Sequence, residues 1–440
     1  MKKISKWVIV SQDYSGLGWA KMILDQSSQE VILAMRPKDD EDNMKAFRKV
    51  GNGIATKETL ADVMKRRKDL KDYGFIFDGN HNSDDSEKLR KEGFNVIGGH
   101  RFTDWLEHNR EFGLSLVKRA GLATPPSFEF QDVQEGLDFL ESNEDSSYVF
   151  KPDEPDNESW VTTTPDNDND EKANQEMRKF LGSQKDGKGK YILQERKKGI
   201  EINVELWLSK GKPFFAHANF ECKRKDNHDL GRMIGCSQDI EFVIPIDCKI
   251  IKETLAKLIV QPEFKDYTGF IDMNLIVADN EYWFLEFCGR FGYNSHPNLF
   301  LTLAISPATD IFSDILTGNV ENFRRHFRSG FGASIICWID KPVTGLPLSF
   351  ENVTDVESKF YHFDTTFDGE DYSLAGYANE VGIICAHDYD IKSAADEAIR
   401  KFNKIHYPGR TARTDLASTD YQSNPMERYI ASEAMRLFNS

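Results

Sequence analysis

The stretch Glu286-Phe287-Cys288-Gly289-Arg290-Phe291-Gly292 closes a β-rich run that begins at Tyr282, and a second such run, Gly269 to Val277, precedes it across the turn Ala278-Asp279-Asn280. Two short apolar runs joined by a tight polar turn predict an antiparallel hairpin. Side chains alternate between faces along a strand, so Asp272 and Asn274 share one face, as do Glu286 and Cys288, and four potential ligands can converge. Carboxylate oxygens there suit Mg²⁺, which is usually held by one or two carboxylates together with substrate phosphates. Arg290 adds a guanidinium able to grip a phosphate or carboxylate through two parallel hydrogen bonds. The plainer alternative is that Glu286 and Arg290 only pair with each other at a strand end.

Upstream, strands and helices alternate: Trp7 to Val10, Gly18 to Leu24, Val31 to Ala34, Phe75 to Asp78, Ser86 to Glu92 and Asn95 to Ile97. This pattern predicts an α/β domain with a largely parallel sheet over residues 1–103. The loop Ser15-Gly16-Leu17-Gly18 is a fragment of a dinucleotide-binding glycine motif, but Lys21 stands at the third glycine position, so a plain strand-to-helix turn is the reading. A helical pattern from Asp104 to Ala120 ends at Gly121, and Thr124-Pro125-Pro126 breaks the chain. Strands at Tyr148 to Lys151, Tyr191 to Glu195, Glu201 to Ser209, Pro213 to Phe220 and Ile240 to Ile244 then lead to the hairpin, giving a mixed α+β region over 104–325. The segments Pro152 to Glu171 and Glu221 to Ser237 read as polar excursions, the first as a mobile loop. The remainder, 326–440, reads as a small strand-rich domain closed by a helix from Ile391 to Lys404.

With 440 residues, 39% of them hydrophobic, the chain can bury real cores and is neither disordered nor fibrous. Its 72 acidic against 56 basic side chains disfavour a phosphate backbone or an anionic membrane as partner, which leaves small molecules. The basic run Lys65-Arg66-Arg67-Lys68 reads as a solvated helix face. Six cysteines with no Cys-x-x-Cys pair indicate neither a disulfide framework nor a zinc ribbon and fit a reducing cytoplasm. No run approaches the roughly 18 apolar residues of a membrane span.

Lys151 at a strand end, the run Gln194-Glu195-Arg196-Lys197-Lys198-Gly199-Ile200-Glu201-Ile202-Asn203, and the segment from Glu286 to Gly292 together resemble the ATP-grasp enzymes. Within them the chain is similar to the phosphoribosylamine glycine ligase (glycinamide ribonucleotide synthetase) family. That family's I-E-E-F/L-L-x-G-x-E-x-S lies over Leu193 to Asn203, and its E-F-N-x-R-F-G over Glu286 to Gly292. Its D-H-K-R resembles Glu221-Cys222-Lys223-Arg224, and its closing Y-R-x-D resembles the run around Arg413-Thr414-Asp415. The resemblance implies an ATP-grasp fold with a parallel α/β domain at the amino terminus and a small β-rich domain at the carboxyl terminus. It implies ATP and Mg²⁺ as cofactors, amine and carboxylate substrates, and chemistry like that of purine biosynthesis: a carboxylate activated as an acyl phosphate and opened by an amine.

On this resemblance Lys151 reaches the nucleotide phosphates, the backbone after Glu195 holds adenine and Glu201 binds ribose, with Gln194, Lys197 and Asn203 completing the nucleotide set. Glu286, Cys288, Asn274 and Asp272 are the candidate metal ligands, and Arg290 and Lys223 the candidate catalytic residues. The loop from Pro152 to Glu171 becomes a candidate lid that shields the acyl phosphate from water. The departures are as specific. An acidic Pro152 to Val161 replaces a glycine-rich phosphate loop, Leu114 a lysine, Cys288 an asparagine, and Tyr293-Asn294-Ser295 the family's D-P-E. They motivate a second reading, a relative that binds a nucleotide or metabolite without ligation.

Overall fold

The computed structural model describes residues 4–12, 14–36, 41–152, 169–184, 190–278, 281–416 and 438. In the amino-terminal region β1 (Lys6–Ser11), β2 (Glu30–Met35), β3 (Thr56–Thr59), β4 (Gly74–Phe77) and β5 (Asn95–Ile97) form a parallel sheet in the order β3-β2-β1-β4-β5. Trp7 to Val10 and Phe75 to Phe77 are apolar at every position because helices cover both faces, as a parallel sheet requires. The edge strand β3, Thr-Lys-Glu-Thr, carries no apolar residue and the sequence reading misses it. The first helix, α1 (Gly16–Gln26), packs on this sheet and also against the carboxyl-terminal region, where the Trp19 ring meets Tyr361 at 5.6 Å.

The expected helix over 104 to 120 is two helices, Arg101–His108 and Arg110–Arg119, because Asn109 leaves helical geometry and its side chain accepts from the Phe112 amide. A small lobe follows, with β6 (Ser127–Phe130), β7 (Tyr148–Pro152) and β8 (Tyr191–Glu195) in the order β6-β8-β7. Its core is Leu140, Tyr148, Met177, Leu181, Tyr191 and Leu193. Of the expected mobile loop, residues 153–168 lie outside the described residues, and Asp170 and Glu171 open the helix Asp170–Ser183.

The largest sheet has nine strands. Within it β9 (Ile200–Ser209), β10 (Lys212–Asp226), β11 (Leu230–Ile244), β12 (Gly269–Ala278) and β13 (Glu281–Cys288) run in the order β13-β12-β9-β10-β11. The expected polar excursion from Glu221 to Ser237 is instead the far end of the β10/β11 hairpin, bulged between Cys222 and Arg224 and turning at Asn227–Asp229. Strand β14 (Phe331–Ile339) pairs with β11, so the sheet continues across the boundary expected at 325. In the carboxyl-terminal region Tyr372–Leu374 is a strand.

One face of this sheet is apolar: Ile202, Val204 and Leu206 with Ala216, Ala218, Ile240, Met273 and Leu275 belong to one core cluster. Alternation sends Glu201, Asn203 and Glu205 of β9 to the other face, opposite Ile276, Asn274 and Asp272 of β12. That face carries the site.

Candidate functional site

The β12/β13 register pairs Asp272 with Cys288 and Asn274 with Glu286, so the four residues expected to converge do share one face. Next to them the Lys223 ammonium lies 2.6 Å from Glu201 Oε1, 3.2 Å from Glu286 Oε1 and 4.0 Å from Glu221 Oε2. Burial opposes a charge on Lys223, but Glu201, Glu286 and Glu221 together outweigh it and raise its pKa. Glu286 is held at about 2 by Lys223, against burial, with Lys151 adding to the effect. Burial lowers the Lys151 pKa while Glu286 opposes that shift. The small lobe therefore hands Lys151 across to the large sheet, and Lys151, Lys223, Glu201 and Glu286 form one constellation of opposite charges.

Hard oxygen donors are available for a divalent cation. Glu286 is ionised and half-exposed, and Asn274 donates to its Oε1 at 3.2 Å. Asn274 Oδ1 and Asp272 Oδ1 are buried with no hydrogen-bond partner among the described residues. Asp272 Oδ2 accepts from Asn203 Nδ2 at 2.9 Å, and burial, then Glu205, push its carboxyl pKa well up. Cys288 fits less well. Burial, then Glu107 and Asp272, push its thiol far up, and a protonated sulfur is a poor ligand for Mg²⁺. The oxygens of Glu286 and Asn274 fit the cation; the Asp272 carboxyl, which burial pushes toward its neutral form, and Cys288 fit it less well.

Arg290 does not pair with Glu286 in a simple strand-end bridge. Its Nε lies 3.0 Å from Glu107 Oε1, and the Gly289 amide donates to Glu107 Oε2 at 3.4 Å. Burial works against the guanidinium charge, but Glu107 restores it and raises the pKa. Glu107 was not legible in the sequence, because a carboxylate in an amphipathic helix reads as a solvated position.

The remaining nucleotide candidates lie along the small-lobe strands and the chain that leaves them. Gln194 is buried and donates to Ser127 Oγ at 3.0 Å. Lys197 lies 2.6 Å from Glu195 Oε1 and sits over the Trp283 ring at 4.2 Å. Asn203, Asn274 and Asp272 instead share the sheet face of Glu201 and Glu286, the partners of Lys223.

Below this layer a second buried cluster escaped the sequence reading. His217 lies 3.0 Å from Glu205 Oε1 through Nε2 and 2.8 Å from Glu241 Oε1 through Nδ1. Burial opposes charge on His217, yet Glu241 and Glu205 lift it to about 10, so it is an imidazolium. His296 Nε2 lies 3.1 Å from the same Glu205 oxygen. Glu205, His217 and His296 have the proximity of a metal triad. The Gly292 amide, however, donates to His296 Nδ1 at 2.7 Å, which leaves the His296 proton on Nε2, the nitrogen a metal would need. The cluster is a buried ion-pair network. Its signal was the alternation of Glu201, Asn203 and Glu205 with Ile202, Val204 and Leu206.

Glu286, Arg290 and Pro152 line one end of a cleft of about 470 Å³ that runs to the amino-terminal sheet. A three-stranded lobe above a large antiparallel sheet, with a parallel α/β domain at the cleft's other end, is the ATP-grasp fold. Within that fold the chain resembles phosphoribosylamine–glycine ligase. The enzyme of that name from Lactococcus lactis is 23% identical over 330 residues, spanning 73% of this chain and 78% of the relative. The structure of phosphoribosylamine–glycine ligase from Thermotoga maritima matches with a TM-score of 0.64 at 17% identity, over 93% of this chain and 99% of that one. The biotin carboxylase domain of Hydrogenobacter thermophilus 2-oxoglutarate carboxylase, solved with MgADP, ADP and bicarbonate, matches at 0.62 and 11% identity over 100% of both chains. No protein-family model matches the chain.

Proposed function

We propose that the chain is an ATP-dependent carboxylate–amine ligase that forms an amide through an acyl phosphate. The observation that carries this reading is the charged constellation of Lys151, Lys223, Glu201 and Glu286, with Arg290 and Glu286 lining the same cleft. A carboxylate oxygen attacks the γ-phosphorus of ATP and ADP leaves; the amine nitrogen then attacks the acyl carbon, phosphate leaves and the amine gives up a proton. Such phosphoryl transfer asks protein side chains for positioning and charge neutralisation rather than covalent chemistry. Lys151 and Arg290 supply fixed positive charge for the phosphates and the acyl phosphate, and Gln194, Glu195, Lys197 and Glu201 border the nucleoside. Glu286 and Asn274 would hold Mg²⁺, which supplies charge neutralisation at the phosphates.

The test is ADP release from Mg-ATP in the presence of a panel of amines and carboxylates, with Glu286→Ala as the control. Release that depends on both substrates and is lost in Glu286→Ala supports ligation; unchanged release in the variant removes the metal role of Glu286. A second reading, nucleotide binding without ligation, is favoured by two observations: Lys223 already neutralises Glu201 and Glu286, and Cys288 offers sulfur beside Asp272. Under that reading Mg-ATP at about 100 times its Kd adds about 2.7 kcal/mol of stability while no amine or acid releases ADP.

A further inference from the structure

Arg290 reaches the cleft from a short turn, Gly289 to Gly292, that leaves β13. Glu107 holds the first half of the turn, through the Gly289 amide and the Arg290 guanidinium. His296 holds the second half. The Gly292 amide donates to His296 Nδ1 at 2.7 Å, and the His296 amide donates back to the Gly292 carbonyl at 3.4 Å. A Cβ on Gly292 would stand 2.2 Å from Ser295 Oγ, so this close return of the chain needs a residue without a side chain.

The ring that accepts this amide is locked by its neighbours. His296 is wholly buried and stacked on Trp207, with centroids 5.9 Å apart and planes at 9°. Phe270 flanks it at 5.2 Å, and Phe291, part of the turn itself, at 4.8 Å. Its Nε2 lies 3.1 Å from Glu205 Oε1 without a straight hydrogen bond, so that tie is electrostatic. The titratable groups facing the ring are Glu205 from β9 and His217 from β10, with Glu241 of β11 behind His217. Asp272 of β12 stands across from Glu205 in the register, and Arg290 of the turn is directed to Glu107. His217, an imidazolium 3.0 Å from the same Glu205 oxygen, already matches that carboxylate's charge. Burial lowers the His296 pKa, Glu205 opposes the shift, and the charge of His217 adds to it. A neutral ring with its proton on Nε2 offers Nδ1 as an acceptor; a second proton removes the acceptor and sets two imidazolium rings 5.5 Å apart.

We propose that His296 is a positioning residue for ligation: its unprotonated Nδ1 holds the Gly292 amide and so fixes the turn that presents Arg290 to the cleft. The assignment rests on the ligase reading of the site. It makes the reaction sensitive to acid, because a proton on Nδ1 turns an acceptor into a donor facing the Gly292 N–H and frees the turn. The pairing of Lys223 with Glu201 and Glu286 does not pass through this turn, so nucleotide affinity should hold while the rate falls.

The test is steady-state ADP release by the full chain from Mg-ATP, with hydroxylamine as the amine and the twenty amino acids as carboxylates. It is followed from about pH 5 to about pH 8 in the unsubstituted chain, His296→Asn and His296→Ala. In His296→Asn the side-chain oxygen takes the place of Nδ1, accepts the Gly292 amide and does not titrate. The expected result is a kcat in the unsubstituted chain that falls about tenfold per pH unit on the acid side, with the KM for ATP little changed. His296→Asn keeps most of the neutral-pH rate and lacks that limb, while His296→Ala loses about 10- to 100-fold in kcat at neutral pH. The substrates titrate alike in all three chains, so a limb missing only from His296→Asn belongs to His296. A purely structural histidine would lower stability and leave the limb in place. An acid limb unchanged in His296→Asn, or full kcat in His296→Ala, overturns the assignment. Should the variants not fold, proton–nitrogen correlation spectra of the unsubstituted chain decide. The Gly292 amide should shift with acid at the midpoint of the kcat limb, and a His296 proton found on Nδ1 at neutral pH overturns the assignment. A chain that binds Mg-ATP but releases no ADP loses the ligase reading and this assignment with it. One that releases ADP and keeps the acid limb in His296→Asn loses this assignment alone.

Discussion

Arg290, at the exit of β13, is held 3.0 Å from Glu107, 183 residues earlier in the chain, so a helix outside the large sheet fixes the guanidinium at the cleft. Glu107→Gln keeps the shape of that contact and removes its charge. Misplacement of a catalytic group by even 1 Å can cost about 100-fold in rate. The expected outcome is a fall of about 10- to 100-fold in kcat/KM for ligation with Mg-ATP affinity little changed, measured by steady-state kinetics and calorimetry. Arg290→Lys, which loses the planar fork, should fall further. Equal kinetics in Glu107→Gln and the unsubstituted chain would show that Arg290 needs no such support.

Gly18 faces Tyr361 so closely that a methyl group cannot fit between α1 and the strand Phe360–His362 without movement. Tyr361 is anchored from both sides, donating to the Ser15 carbonyl at 2.9 Å and meeting the Trp19 ring edge-on. Gly18→Ala should therefore destabilise the protein by about 1–3 kcal/mol, the usual range for overpacking. Urea unfolding measures it. Combination with Tyr361→Val should recover part of the loss, and simple additivity of the two substitutions would exclude the steric cause.

What the sequence made legible follows from periodicity. The hairpin of Asp272, Asn274, Glu286 and Cys288 was readable because apolar and polar residues alternate with period two, and the structure places the four on one face. The β10/β11 extension was not, because Glu221 and Lys223 look like loop residues until the sheet pairs Lys223 with Glu201 and Glu286. Buried charges that satisfy one another across strands carry the composition of an exposed turn. Glu107 was hidden for a related reason: it works through Arg290, a residue far away in the chain.

The buried network under the site gives stability a distinct pH dependence. Burial lifts Glu241 to about 7 from 4.5, against the opposing pull of His217. A folded-state pKa above the unfolded one means that the folded chain binds the proton more tightly. The stabilisation is thus full below about 4.5 and is lost as pH rises through about 7. Asp364, lifted mainly by burial to about 7, acts with the same sign. His217, at about 10, adds stability that is full below 6.5 and lost only at the alkaline end. Glu241→Gln should remove on the order of 2–3 kcal/mol from the decline between weakly acidic and neutral pH. Urea titrations across that window compare the slopes, and identical slopes would place the titrating proton elsewhere.

Cys288 stands opposite Asp272 in the β12/β13 register, where the resembling family has an asparagine. Its thiol is kept protonated by burial first and then by Glu107 and Asp272, so it adds neither charge nor a hard donor to the oxygens of Glu286 and Asn274. Cys288→Asn replaces that sulfur with an amide oxygen, the donor type that Mg²⁺ prefers. The Mg²⁺ concentration needed for half-maximal nucleotide binding should then fall by about tenfold, the scale of one added hydrogen-bond-strength contact of about 1.4 kcal/mol. Substitution of Cd²⁺ for Mg²⁺ separates the causes, since a soft cation gains from the thiol and should bind the unsubstituted chain better than the variant. If both cations behave alike in the two chains, the metal is held by Glu286 and Asn274 without help from position 288, and the cysteine is a packing residue of the sheet.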